Sequence, residues 1–439
     1  MVGRDEPMDP GPDRGPLPGG TPSLLRALNE RGAVELIWRL GPLSRADIAR
    51  RSGLSKPTVS LALARLEQAG LVREVGRTSG SKGPSALLYD LDPGAGFVLG
   101  VDVGRAFVRC AVADITGRVV ARRDQPSRVR SGRALIAQIG ALARAVAADA
   151  GIGLADITRA TLGGPGVLEP GGGRVVLAPN LPGWQRPGVT DEVRAELGIP
   201  VAFENDVNLA ATAERWRGLG RGVDNFVLLS VGTGVGMGVV LGGELYRGST
   251  GAAGEVGYLP LGGGDPHGRQ GRRRGAFEAA TGAGAVVALA RARGLAARSA
   301  EEVYAAARRG QPAALAVVEA HARQLGTGIA AVAAVLDPDL VILGGGIGHN
   351  SGDLLFEPIE RELRACSPFR PRLAVSALGA DAVLHGALAN ALVAAHEAVF
   401  GALNHRGELP DGRVTVTSEH PPTGGRAPAR SARAREALP

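Results

Sequence analysis

Apolar positions recur at helical spacing twice between Leu43 and Gly70, in the stretch LSRADIARRSGLSKPTVSLALARLEQAG. Ile48 and Ala49 give a first short helix its apolar side, and Val59, Ala62, Leu63 and Leu66 form the inward stripe of a second. The polar residues between them punctuate the pattern. Ser44 and Asp47, three apart, can cap the first helix reciprocally, Gly53 accepts the left-handed backbone of a tight turn, and Ser55 caps the second helix with Pro57 in its first turn. Lys56, Thr58, Ser60, Leu61, Ala64, Arg65 and Gln68 are left facing outward. Leu71 to Val75 (LVREV) and Ala86 to Leu91 (ALLYDL) then read as paired strands around a glycine-rich tip, GRTSGSKGPS, that carries Arg77 and Lys82. Upstream, Ser23 to Arg31 and Ala33 to Leu40 read as two helical stretches, the second with Leu36, Ile37 and Leu40 on one face. The sum is a winged helix-turn-helix.

The pattern changes after the breaker cluster Asp92-Pro93-Gly94-Ala95-Gly96. Phe97 to Val103 (FVLGVDV) is a buried strand by composition, Val108 to Ala113 a second, and Arg118 to Arg122 a third, with a helix near Ala134 to Ala150. Strands and helices then alternate, with glycine clusters after the strands, which makes this part an α/β domain. The pattern divides the chain into an arm at 1–20, a winged helix at 21–92, an α/β domain at 96–403 and a polar tail at 404–439. Both ends lack apolar periodicity and are expected to be disordered.

Composition narrows the function. Hydrophobic residues make up 44% of the 439 positions but aromatics only 3%, so alanine, valine and leucine must fill the cores. The net charge of +7 is compatible with nucleic acid, and the only lysines, Lys56 and Lys82, both fall in the winged helix. Two cysteines, Cys110 and Cys366, exclude a disulfide framework and a cysteine-rich zinc site. No apolar run is read as long enough to span a bilayer and no apolar signal core opens the chain, so the expectation is a cytoplasmic protein without membrane contact. Short polar residues and a cation at the start of the second helix suit a major groove, with Lys56, Thr58, Ser60 and Arg65 on the groove side and Arg77 and Lys82 on the wing. An ordinary helical hairpin in a core is the plain alternative.

Three stretches of the α/β domain carry candidate chemistry. LLSVGTGVGMG (Leu228 to Gly238) is a strand entering a glycine turn, either a phosphate cradle or a plain hairpin. DLVILGGGIG (Asp339 to Gly348) ends a strand in a glycine step, for nucleotide approach or for close helix–strand packing. Glu204-Asn205-Asp206-Val207-Asn208 places several polar side chains at a strand end before the helical run Leu209 to Arg217. There Asp206 could accept a hydroxyl proton and Asn205 hold a neighbouring one, or the set could be turn and cap residues.

The order GVDVG at Gly100, GGPG at Gly163, ENDVN at Glu204, GTGVG at Gly232, GAAGEVGY at Gly251 and LGGGIG at Leu343 resembles the ROK family of repressors, open reading frames and kinases. With the winged helix in front, the chain resembles the family's transcriptional regulators of the xylose-repressor and N-acetylglucosamine-repressor type. The resemblance implies a two-lobed actin-like ATPase fold with a sugar cleft, usually as a homodimer or dimer of dimers. It implies that Asn205, Asp206, Glu255 and Glu278 hold sugar hydroxyls, that Gly163 and Asn180 line the cleft, and that Asp206 is the base wherever catalysis occurs. Gly232, Thr233, Gly234 and Gly236 would be the second phosphate loop, with Gly344 and Gly345 near an adenosine.

The departures from the family decide the expectation. Where kinases read D-x-G-G-T-K, this chain has Asp102-Val103-Gly104-Arg105-Ala106-Phe107, which leaves Asp102 and Gly104 and removes the second glycine, the hydroxyl and the lysine. Where members carry a cysteine-rich zinc segment, it has Arg269 to Glu278 without cysteine, and the family's histidine is Tyr258, which can still donate to a sugar. The expectation is a sugar-responsive DNA-binding regulator, a repressor of carbohydrate-metabolism genes, with operator DNA and a sugar effector as partners and with no cofactor, no metal and no enzyme activity. The rival is an active ATP-dependent sugar kinase with a DNA-binding head. A third reading is a regulator with a vestigial cleft that answers to a partner protein.

Overall fold

The computed structural model describes residues 22–78, 85–127, 131–169, 173–178, 181, 183–262 and 267–401. The N-terminal unit runs α1 (Pro22–Leu40), β1 (Leu43–Ser44), α2 (Arg45–Ser52), α3 (Lys56–Gln68), β2 (Val72–Arg77) and β3 (Leu87–Leu91), its strands in the order β1-β3-β2. The caps are the ones the sequence specifies. The Ser44 hydroxyl accepts from Asp47 N while the Asp47 carboxylate accepts from Ser44 N, Gly53 sits at φ +73°, and Ser55 Oγ accepts from Thr58 N. Val59, Ala62, Leu63 and Leu66 are all buried.

One expectation is corrected here. The two helical stretches before the motif form a single helix, α1. A helix-interior glycine costs only about 1 kcal/mol, and the continuous inner face of Ala27, Ala33, Val34 and Ile37, at most 5% exposed, holds α1 together through Gly32.

A single 3-10 turn, Pro93–Ala95, leads into the first lobe. Its elements are β4 (Phe97–Val103), β5 (Phe107–Asp114), β6 (Val119–Pro126), α4 (Gly132–Asp149), β7 (Ile157–Gly164), the small hairpin β8 (Val167–Leu168) and β9 (Val175–Val176), α5 (Val189–Leu197) and β10 (Val201–Asn205). Helix α6 (Asp206–Arg217) crosses to the second lobe, made of β11 (Phe226–Val231), β12 (Val235–Leu241), β13 (Glu244–Leu245), α7 (Arg269–Arg274), α8 (Ala276–Thr281), α9 (Ala283–Ala292), α10 (Ala300–Arg308), α11 (Pro312–Leu336), β14 (Leu340–Gly344), α12 (Gly345–Cys366) and β15 (Arg372–Val375). The two sheets repeat one topology, β10-β7-β4-β5-β6 and β15-β14-β11-β12-β13. Each has an antiparallel meander at one edge and two parallel strands added at the other. The first hairpin turn of each sheet, at Gly104 and at Gly232, is therefore the same structural feature used twice.

Helix α13 (Ala382–Gly401) returns from the second lobe to pack on α6, β4 and β7 of the first. The crossing is tight because it is made over glycines. A Cβ at Gly386 would lie 1.8 Å from Leu209 O, one at Gly163 2.5 Å from Leu209 Cδ1, and one at Gly100 2.9 Å from Leu388 Cγ. By length and composition α13 is long and apolar enough to cross a bilayer, which corrects the reading that no such run exists. Its apolar surface is spent inside the protein, on the cluster that also joins Val34, Ile37 and Tyr89 of the winged helix to Leu388 and Leu392.

Candidate functional site

The N-terminus of α6 is the meeting point of the cleft. Asn205 caps it, its Oδ1 accepting from Val207 N (2.9 Å) and Asn208 N (3.2 Å), while its Nδ2 donates to Gly166 O at 3.1 Å. Glu204 braces the same turn, accepting from Asn205 N and Asn208 Nδ2 at 2.9 Å and from Arg247 Nε at 2.7 Å. Both readings of this polar cluster thus meet: most of it builds the turn, and Asp206 is what the turn presents, its Oδ1 accepting from Val207 N at 2.9 Å.

Asp206 opens into a cavity of about 360 Å³ shared with Glu255, Glu278, Tyr258 and both glycine turns. Glu255 follows Gly254, which holds φ +91° and passes so close to β12 that a Cβ there would lie 1.8 Å from Met237 O. Glu278, on α8, accepts from Val235 N at 3.0 Å and so ties that helix to the second hairpin. Tyr258 is half-open to the cleft and its hydroxyl donates to Arg273 O at 3.4 Å. Three carboxylates share one cavity, and each resists ionisation. Burial, then Asp206 and Glu278, pushes Glu255 up to about 7. Burial also raises Asp206 and Glu278, the latter opposed by the Val235 N–H and by Arg274.

Acceptor-rich walls of this size suit a neutral ligand bearing several hydroxyl donors. Gly232, Thr233, Gly234 and Gly236 line the same cavity, and Gly232 N is taken by Gly234 O at 3.0 Å within the turn. Gly104 also lines it, but its N–H is spent on Phe107 O at 2.9 Å in a closed hairpin. Gly163 instead lies under α6 and α13, and Gly344 is buried at the end of β14. Gly345, at φ +73°, packs so tightly on β11 that a Cβ would meet Val231 O at 2.6 Å. Asn180 lies outside the described residues.

Asp102 faces a second cavity of about 470 Å³ behind Asp206, with Ser230, Gly345 and His349. It is 5% exposed and its Oδ2 accepts from Arg109 Nη1 at 2.7 Å. Burial, opposed by Arg109, pushes this carboxyl up to about 6. Arg109 is absent from the motif reading, yet the signal for it was available: in the tight β4–β5 hairpin it is the register partner of Asp102. Nothing in the sequence marked Arg247. Among the described residues no three His, Cys, Asp or Glu side chains are placed to hold one metal ion.

On the winged helix, Lys56 is exposed at the start of α3, and Ser60 is partly exposed one turn on. The Thr58 hydroxyl shares a 2.8 Å hydrogen bond with Ser55 Oγ. Arg65 pairs with Glu30 of α1 at 3.3 Å. Arg77 is exposed on the wing, within 3.4 Å of Ser85 O, and Lys82 lies outside the described residues.

Comparison with known proteins divides the chain in the same way. A sequence profile of the ROK family matches residues 98–393, and one of the MarR family matches residues 28–75. The chain is 28% identical over 360 residues to a protein of Caldicellulosiruptor sp. (strain Rt8B.4) named as a candidate xylose repressor, covering 78% of this chain and 88% of that one. It is 31% identical over 313 residues to a glucokinase of Halalkalibacterium halodurans, covering 66% of this chain and 92% of the kinase. Among solved structures, a ROK family transcriptional regulator described as a homologue of the E. coli MLC protein superposes with a TM-score of 0.71 at 23% identity, over 87% of this chain and all of that one. A ROK family glucokinase from Streptomyces griseus, in complex with glucose and AMPPNP, superposes with a TM-score of 0.58 at 28% identity, over 67% of this chain and 99% of that one.

Proposed function

The chain belongs to the ROK family, and from that membership we propose that it is a sugar-responsive, DNA-binding transcriptional repressor. The observation that carries this reading is the pairing, in one chain, of a MarR-type winged helix with a carboxylate-lined cavity of monosaccharide size. Operator DNA is bound by α3 through Lys56, Thr58 and Ser60, with Arg65 set back by its pair to Glu30 and Arg77 at the wing. A sugar is held by Asp206, Glu255, Glu278 and Tyr258, with Asn205 shaping the turn that presents Asp206. The chain acts as a homodimer, because half-site spacing is fixed by the distance between paired heads, so that a small lobe rotation changes operator affinity.

The test is operator binding by fluorescence anisotropy, at fixed salt, with each of a panel of pentoses, hexoses and amino sugars. At least one sugar is expected to shift the operator Kd about tenfold, equivalent to ~1.4 kcal/mol. If every sugar that binds leaves operator affinity unchanged, the reading fails.

Asp206, the second glycine hairpin and the glucokinase relatives favour a second reading, an active sugar kinase. The first hairpin opposes it, with Arg105 and Ala106 where bare backbone must meet phosphate and no lysine in the domain. A coupled assay with MgATP is expected to show no turnover. Phosphorylation that disappears in Asp206→Ala would establish the kinase instead.

A further inference from the structure

The fold implies a metal–nucleotide complex between the two hairpins. Such a site needs a carboxylate free to hold the metal or its waters, bare backbone at the first turn, and spare positive charge for the phosphates. The residues here do not fit that group. Across β4, β5 and β6 the register places Asp102 opposite Arg109 and Arg109 opposite Asp124. Arg109 Nη1 lies 2.7 Å from Asp102 Oδ2, and its Nε lies 3.6 Å from Asp124 Oδ2. Asp124 also accepts from Arg122 Nε at 2.9 Å and Nη2 at 2.8 Å, and the same Nη2 donates to Asp381 at 2.7 Å, in the turn that opens α13. Three carboxylates enclose two guanidinium groups, so the charge of Arg109 and Arg122 is committed to this row. The first-turn amide, Gly104 N, is already used by Phe107 O.

We propose that Arg109 takes the place of a divalent cation at Asp102, so that the cleft of this chain receives its ligand without metal or nucleotide. A guanidinium at 2.7 Å from a carboxylate that is 5% exposed supplies one of the two positive charges a hydrated divalent metal would bring. The row also continues outward. Through Arg122 it straps the meander of the first lobe to the turn that opens α13. Closure of the cleft then depends on the sugar alone.

The inference rests on the regulator reading, but its test uses neither sugar nor operator, so the two fail separately. The probe is Mn2+ alone, counted by electron paramagnetic resonance on the full chain at pH 8. Wild type is expected to hold no Mn2+ below ~1 mM. Arg109→Gln, which keeps a polar side chain and loses the charge, is expected to hold one Mn2+ at least tenfold more tightly. Arg109→Gln with Asp102→Asn is expected to lose that site again. The proposal is overturned if wild type binds Mn2+ in a manner abolished by Asp102→Asn, if folded Arg109→Gln acquires no site, or if the acquired site survives in the double variant. Should Arg109→Gln not fold, wild type still decides: a thermal shift with MgATP that Asp102→Asn removes would overturn the proposal, and none is expected.

Discussion

Burial and two neighbouring carboxylates hold Glu255 near a pKa of 7, inside the working pH range. A sugar hydroxyl donates to the ionised form and not to the protonated oxygen, so binding favours loss of that proton. Affinity should therefore rise with pH through 7, by about tenfold between pH 6 and pH 8. Glu255→Gln should bind more weakly and with a flat profile. Titration calorimetry at pH 6, 7 and 8 checks this, and a flat wild-type profile would remove Glu255 from the ligand shell. The same shift has a stability cost. A carboxyl raised in the folded state destabilises it once deprotonated, so Glu255→Gln should gain roughly 1–3 kcal/mol at pH 8 and little at pH 4. Asp206 was legible as chemistry because a run of polar side chains at a strand end has no apolar explanation. Glu255 and Glu278 were not, since they sit on a loop and a short helix far along the chain and carry meaning only as parts of the family's motif order. Asn205 shows why cap and ligand are hard to tell apart in a sequence: the amide that closes the helix end also lines the cavity.

The N-caps of α2 and α3 and the break between them were legible, because capping is a local grammar of hydroxyl, spacing and turn glycine. Helix α1 was not, because its continuity through Gly32 comes from packing on α3 and not from its own sequence. The cap of α2 has a measurable weight. Ser44→Ala should lower stability by about 1 kcal/mol in urea unfolding. The Ser44 hydroxyl, with the Ser44 amide and Arg50, holds the Asp47 carboxyl below its ordinary range. That contribution is present above the unfolded carboxyl pKa and is lost as pH falls through the folded value, so the wild type and Ser44→Ala should converge in acid. On α3 the two cations should separate by salt dependence. Lys56→Ala should weaken operator binding and reduce the magnitude of the salt slope by about 1, as expected for a phosphate contact. Arg65→Ala should leave that slope nearly unchanged, because its guanidinium is engaged by Glu30, and an ion pair with an arginine 36% exposed adds at most ~1 kcal/mol to stability.

The two lobes and the head are joined by α6 and α13, and both helices touch the cleft and the head. Asp206 opens α6, while Trp216 near its other end joins the cluster that packs the winged helix. Helix α13 lies against α6 at the Gly386–Leu209 crossing and ends beneath α1, where His396 meets Trp38 edge-on at 4.0 Å and stacks on Phe400 at 5.2 Å. His396 Nε2 donates to Ile115 O at 2.9 Å, and burial pushes the ring down to about 4, as it does for His321. Both rings are neutral in the folded chain and take up a proton on unfolding below pH 6.5. Stability should then fall as pH drops from 6.5 toward 4, and part of that fall should vanish in His396→Gln, read by thermal melting. The aromatic joint also gives a test of how the head hears the cleft. One route by which a rotation of the lobes reaches the operator is α1, which packs on α13 of the α/β domain at Trp38. Trp38→Ala removes that tie while leaving every cleft residue in place. Sugar affinity should stay within about twofold, whereas the ratio of operator affinities without and with sugar should fall from about tenfold toward one. By reciprocity the operator should also stop altering sugar affinity in the variant. If the ratio survives Trp38→Ala intact, the signal does not pass through this joint.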